Sequence, residues 1–139
     1  IDALEDGRRV ILDYKTGGDL KTKLWEGDRI AEPQLPVYAA YVGVAPAAVS
    51  FAQVRAGDCA FAGLGEEGGL LEGVKAAEDW PATLDRWRAA IAAIAREIRE
   101  GHAPVSFADE KDLKYCDVLP LLRLSEVRAQ AASREIFFK

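Results

Sequence analysis

The sequence predicts an α/β fold, a sheet covered by helices, and three observations predict it. Short runs of β-branched and apolar residues alternate with segments of helical periodicity. Turn signals separate these runs in the order strand, strand, helix, strand, strand, helix, tail. The 139 residues, half of them apolar, suffice for one buried core, with no repeat or linker to divide them into several domains.

Each element has its own signal. Residues 1 to 16 read as a hairpin: Ile1-Asp2-Ala3-Leu4 is short and partly alternating, Glu5-Asp6-Gly7 carries an Asp-Gly turn, and Arg9 to Lys15 is a β-branched, apolar strand. Thr16-Gly17-Gly18-Asp19 breaks the strand, and a polar connection runs to about Glu32. Pro33 and Pro36 bracket the start of a helix from Gln34 to about Gly43, because the missing proline N–H costs nothing in a first turn. Residues 48 to 55 alternate as a strand. Residues 59 to 64 form another after the turn Ala56-Gly57-Asp58, and a Gly- and Glu-rich loop covers 65 to 73. The clearest helix spans about 80 to 100, with Leu84, Trp87, Ile91, Ile94 and Ile98 on one face and Gly101 as its stop. The tail is less regular, with a helix expected from about Pro120 through Ala132.

Composition narrows the function classes. The net charge of -5 argues against a simple electrostatic DNA-binding module, whose footprint is a basic surface. It leaves room for an enzyme that gathers positive charge in one groove or borrows it from metal ions. No run approaches the roughly 20 apolar residues of a membrane span, and no signal peptide is visible. Cys59 and Cys116 are too few for a disulfide framework, and free thiols suit a reducing cytoplasm. The chain contains no Met, and we read it as the C-terminal portion of a longer protein.

The chemistry concentrates at Asp13-Tyr14-Lys15-Thr16-Gly17. An acid and a lysine two apart on a strand share a face. Two opposite charges beside a buried strand are costly unless they pair or bind something. They are therefore either a structural ion pair at a strand end or part of a site.

The run Val10-Ile11-Leu12-Asp13-Tyr14-Lys15-Thr16-Gly17 resembles the "IDYKTG" signature of RecB-like and AddB-like nucleases in the PD-(D/E)XK superfamily. Residues 1 to 7 look like the end of that family's "GRIDRID…DG" hairpin, and Gln34-Leu35-Pro36-Val37-Tyr38-Ala39 matches its "QLPLYA" helix motif. Trp25-x-Gly27-x-Arg29, ahead of Glu32-Pro33-Gln34, looks like a bacterial subgroup of probable DNA repair proteins. These motifs cover roughly residues 1 to 43, in the family's order. The resemblance implies a restriction-endonuclease-like α/β sandwich over 1–139, with a central mixed sheet flanked by helices, lacking the family's N-terminal helix and part of its first hairpin strand.

It also implies a metal-dependent DNA nuclease, an exonuclease of repair or recombination linked to helicase-like or other repair domains. Hydrolysing a phosphodiester needs an activated water and positive charge for the developing phosphorane. Hard cations such as Mg²⁺ or Mn²⁺ supply both on oxygen ligands. Asp13 and the backbone carbonyl of Tyr14 would hold the metal, Lys15 would hold the attacking water and offset phosphate charge, and Gln34 would point into the same cleft. Tyr38, one helical turn on, either contacts the DNA backbone or packs. Asp2 matches the second aspartate of the family hairpin, where the first is the usual ligand. It is either a substitute ligand or a solvated acid. With that first ligand and the upstream helix lying before Ile1, little or no cleavage is expected of the 139 residues alone. The alternative is a catalytically inactive nuclease fold kept for DNA binding or scaffolding. A weaker one is an acidic interaction domain.

Relatives carry a cysteine cluster for a four-iron four-sulfur centre near the tail. Here Cys116 matches one ligand, and Leu113 and Leu122 stand where two others would be, so no iron–sulfur centre is expected. Cys59 reads as a small buried hydrophobe. Trp80 and Trp87 read as core anchors. Arg86, Arg88, Arg96 and Arg99 are interspersed with Glu97 and Glu100 and read as a solvated face. His102 either caps the long helix or is exposed.

Overall fold

Five strands form one mixed sheet whose spatial order follows the chain. The computed structural model describes residues 1–17, 20–102, 113–114, 116–127 and 129. The chain divides into two units, Ile1–Gly101 and His102–Lys139. In the first unit, β1 (Asp2–Ala3) pairs antiparallel with β2 (Arg9–Lys15) across the Asp-Gly turn, where Gly7 takes a φ of +86°. The helix α1 (Gln34–Tyr41) carries the chain over to β3 (Ala48–Arg55), parallel to β2. A tight turn at Gly57 returns it as β4 (Asp58–Gly65), antiparallel to β3. The short β5 (Val74–Ala76) then adds parallel to β4 and leads into α2 (Trp80–Arg99).

In the first unit the expected strands and helices are present, and the long helix ends just before Gly101, whose φ is +70°. The sequence reading missed two elements. β5 follows the stretch read as a Gly- and Glu-rich loop, and only three residues give too short a run for alternation to show. The polar connection folds at Thr22–Trp25 into a turn of 3-10 helix, which delivers Trp25 into the core.

Strand alternation sorts the core onto two faces. On one face Ile11, Val49 and Phe51 meet Trp25, Ile30, Leu35 and Ala39, together with Trp80, Leu84, Trp87 and Ala90 of α2. Trp87 is edge-on to both Trp25 and Trp80, with centroids 6.0 and 5.7 Å apart. Its indole N–H donates 3.0 Å to the carbonyl of Trp25, and Trp80 donates 2.7 Å to the carbonyl of Pro46. Asp79 caps α2 by accepting from the backbone N–H of Ala82. The apolar stripe of α2 is buried through Ala90 and loses its cover at Ile98, which is 74% exposed.

On the other face Val10, Ala48 and Val74 pack with Leu4, Leu12, Leu70 and Leu71. Further along this face Tyr14 and Val54 are exposed, and they join Leu12, Ala52, Cys59 and Phe61 around an open groove. Cys59 therefore corrects its sequence assignment. It is exposed on the uncovered side of β4, since local alternation reveals a side but not whether anything covers it.

In the second unit the described residues form a 3-10 turn at Leu119–Leu122 and a helical stretch at 124–127. This corrects the single helix expected from about Pro120 through Ala132: Pro120 opens a 3-10 turn, and Arg123, with a φ of +47°, breaks it from the helical stretch that follows, while residues 128 and 130–132 lie outside the described residues.

Candidate active site

Asp13 and Lys15 project from the helix-covered face of β2, near its C-terminal end. Asp13 is opposite Phe51 in the parallel register, and Lys15 is opposite Gln53. The Lys15 ammonium lies 3.0 Å from Asp13 Oδ2. That oxygen is buried and makes no aligned hydrogen bond, so close ion pairing is what joins the two. The other oxygen, Oδ1, accepts from the Gln34 side-chain amide at 3.4 Å, the long end of the range. Gln34 stands at the first position of α1, and the turn before β3 sets that helix against β2. Tyr38 follows one turn later, about half exposed. The structure thus gathers Asp13, Lys15 and Gln34 at one point, with Tyr38 on the same side of α1 by spacing.

The contact with Asp13 holds the Lys15 amine above its ordinary range, partial desolvation opposes this, and the charge of Glu32 adds to the rise. Lys15 is therefore a cation at neutral pH. Its ammonium also lies 5.5 Å from the centroid of the Phe51 ring. Lys15, Glu32 and Phe51 share a cavity of about 140 Å³ with Leu20, Leu24 and Lys21. Glu32 and Phe51 were not singled out from sequence. One lies in a polar connection and the other in an apolar strand, and only the fold shows that they flank Lys15.

The Tyr14 ring turns to the opposite face and is exposed, so only its backbone lies near Asp13. The Arg9 carbonyl accepts from Ala47 on the β3 side, whereas the Arg8 carbonyl accepts from Leu4 on the β1 side. Alternation then points the Tyr14 carbonyl to the β1 side. β1 pairs only as far as Val10, so among the described residues no strand faces that carbonyl.

Asp2 is not brought to the site. It pairs with Val10, whose side chain lies on the face opposite Asp13, and cross-strand partners share a face. It is also three residues, about 10 Å, back along β2. Parity along the hairpin, which the sequence alone leaves unfixed, separates the two acids. Among the described residues no group of three or more His, Cys, Asp or Glu side chains gathers to hold a metal. One carboxylate with a buried, unaligned oxygen instead fits a hard ion that keeps most of its waters, as Mg²⁺ does. It does not fit the closed nitrogen and sulfur set of a structural zinc.

A mixed α/β sheet with an Asp-x-Lys pair at a strand end, facing a helix-borne glutamine, defines a restriction-endonuclease-like fold. A family model described as the PD-(D/E)XK nuclease superfamily matches residues 1–121, and the chain belongs to that superfamily. Its members typically use divalent metal ions. No curated protein and no solved structure matches the chain. Among the described residues no helix is long and apolar enough to cross a membrane.

Proposed function

We propose that the chain is the catalytic part of a Mg²⁺- or Mn²⁺-dependent deoxyribonuclease, an exonuclease of cytoplasmic DNA repair or recombination working beside helicase-like or other repair domains. The observation that carries this reading is the meeting of Asp13, Lys15 and Gln34 at one strand end.

The Asp13 carboxylate and the Tyr14 carbonyl are the ligands this chain offers a divalent ion. When bound, such an ion lowers the pKa of a coordinated water and offsets charge on the scissile phosphate. Gln34 donates to Oδ1 and Lys15 pairs with Oδ2, so a bound ion would share the carboxylate with both. Lys15 is kept protonated, so it is not the base that deprotonates the water. It orients that water and stabilises the phosphorane electrostatically. Tyr38, half exposed one turn along α1 from Gln34, is the side chain read as a contact to the DNA backbone.

The test is cleavage of linear DNA, with Mg²⁺ or Mn²⁺, by the full-length polypeptide that carries this chain. Lys15→Ala and Asp13→Asn are expected to abolish cleavage without unfolding it. Full activity in Lys15→Ala removes the assignment. A scaffold reading draws on the same ion pair, since Asp13 and Lys15 already neutralise one another. Cleavage that is absent in the unaltered polypeptide and DNA binding that survives both substitutions would favour it.

A further inference from the structure

We propose that Phe51 is a positioning residue for Lys15, its ring forming a fixed cation-binding platform beneath the ammonium. This rests on the reading of Lys15 as the residue that orients water and phosphate. The ammonium lies 5.5 Å from the ring centroid, within the reach of a cation–π contact. Phe51 is 4% exposed, and its ring is tilted against Trp25 at 5.0 Å. Trp25 is fully buried and held by its carbonyl, which accepts from Trp87 and from Arg86 on α2. The Phe51 ring is thus backed by Trp25, which α2 holds in turn, while its other side borders the cavity that it shares with Lys15.

The ring has a distinct task because the other partner of Lys15 is also needed elsewhere. Whatever charge Asp13 gives to a metal ion is withdrawn from its ion pair with Lys15. The ring face makes no such exchange. It holds the ammonium over the strand end whether or not the carboxylate is engaged, as an aliphatic side chain filling the same core space would not.

The test is NMR on the 139-residue chain, with Lys15→Arg identifying the Lys15 ε-methylene signals. In the unaltered chain these signals are expected upfield of the other lysines, with cross-relaxation to the Phe51 ring protons. Phe51→Tyr keeps the displacement, and Phe51→Leu returns the signals to the common lysine position. Signals at the common position in the unaltered chain, or signals that Phe51→Leu leaves displaced, overturn the proposal. Should Phe51→Leu fail to fold, cross-relaxation in the unaltered chain decides: its presence supports the platform and its absence overturns it. None of these readouts uses DNA cleavage. A full-length polypeptide that fails to cleave, beside a chain that shows the contact, counts against the nuclease reading alone.

Discussion

Gln34 reaches Asp13 from the first position of α1, its amide 3.4 Å from the carboxylate, although 21 residues separate the two. The strand sets the face that Asp13 occupies, and the helix start supplies a donor to one of its carboxylate oxygens. A group that orients a metal-binding carboxylate typically controls affinity or activity by about 10- to 100-fold. Gln34→Ala is accordingly expected to lower metal-dependent cleavage by the full-length polypeptide by about that factor. Its thermal unfolding should stay within about 0.5 kcal/mol of the unaltered chain, since the side chain is exposed. Parallel activity and melting measurements check both halves.

Trp87 is the keystone of the helix-covered face. It is fully buried, touches two other tryptophans and donates to the Trp25 carbonyl. Trp87→Ala removes the ring and leaves that carbonyl with fewer donors, and should cost about 3–5 kcal/mol. Trp87→Phe retains most of the packing and should cost less. Urea denaturation of the two variants is the check.

Gly63 is required by close approach. It lies opposite Ser50, and a Cβ there would sit 2.2 Å from the Val49 carbonyl oxygen and 2.7 Å from Ser50 Cβ. Backbone cannot yield as a flexible side chain does, so Gly63→Ala should destabilise by about 1–3 kcal/mol. Gly43→Ala is a useful contrast, because there the φ of +85° is strained while the space around it is open.

Arg8 ties the β1–β2 hairpin to the segment after β4 through Asp6, Glu66 and Glu67. Hydrogen bonds from Arg8 hold the Asp6 carboxyl below its ordinary value of 3.8. A depressed folded-state pKa means the contribution is complete above that value and is lost as pH falls through the lower folded one. The melting temperatures of the unaltered chain and Arg8→Met should therefore converge as pH drops from about 5 to about 2. Added salt should narrow the gap, because these groups are exposed to solvent.

Much of this was legible in the sequence for definite reasons. Arg9 to Lys15 announces itself by β-branched content, and α2 by five apolar residues at helical spacing. Asp13, Lys15 and Gln34 were found because a strand places i and i+2 on one face and a motif supplied the third. What escaped depends on tertiary context. Phe51 reads as plain core until the register sets it beside Asp13. Asp2 shares a hairpin with Asp13, yet its register puts it on the other face. Cys59 was misjudged because a strand's own pattern does not reveal whether a second layer covers it.

The proposed function stands or falls on whether Asp13 holds a divalent ion at the edge of β2. The most direct measurement is a Mn²⁺ titration of the chain, followed by the loss of the free ion's electron paramagnetic resonance signal, for the unaltered protein and for Asp13→Asn. Binding is expected, and Asp13→Asn should weaken it by more than about tenfold while the fold is retained. Equal Mn²⁺ affinity in the two proteins would contradict it.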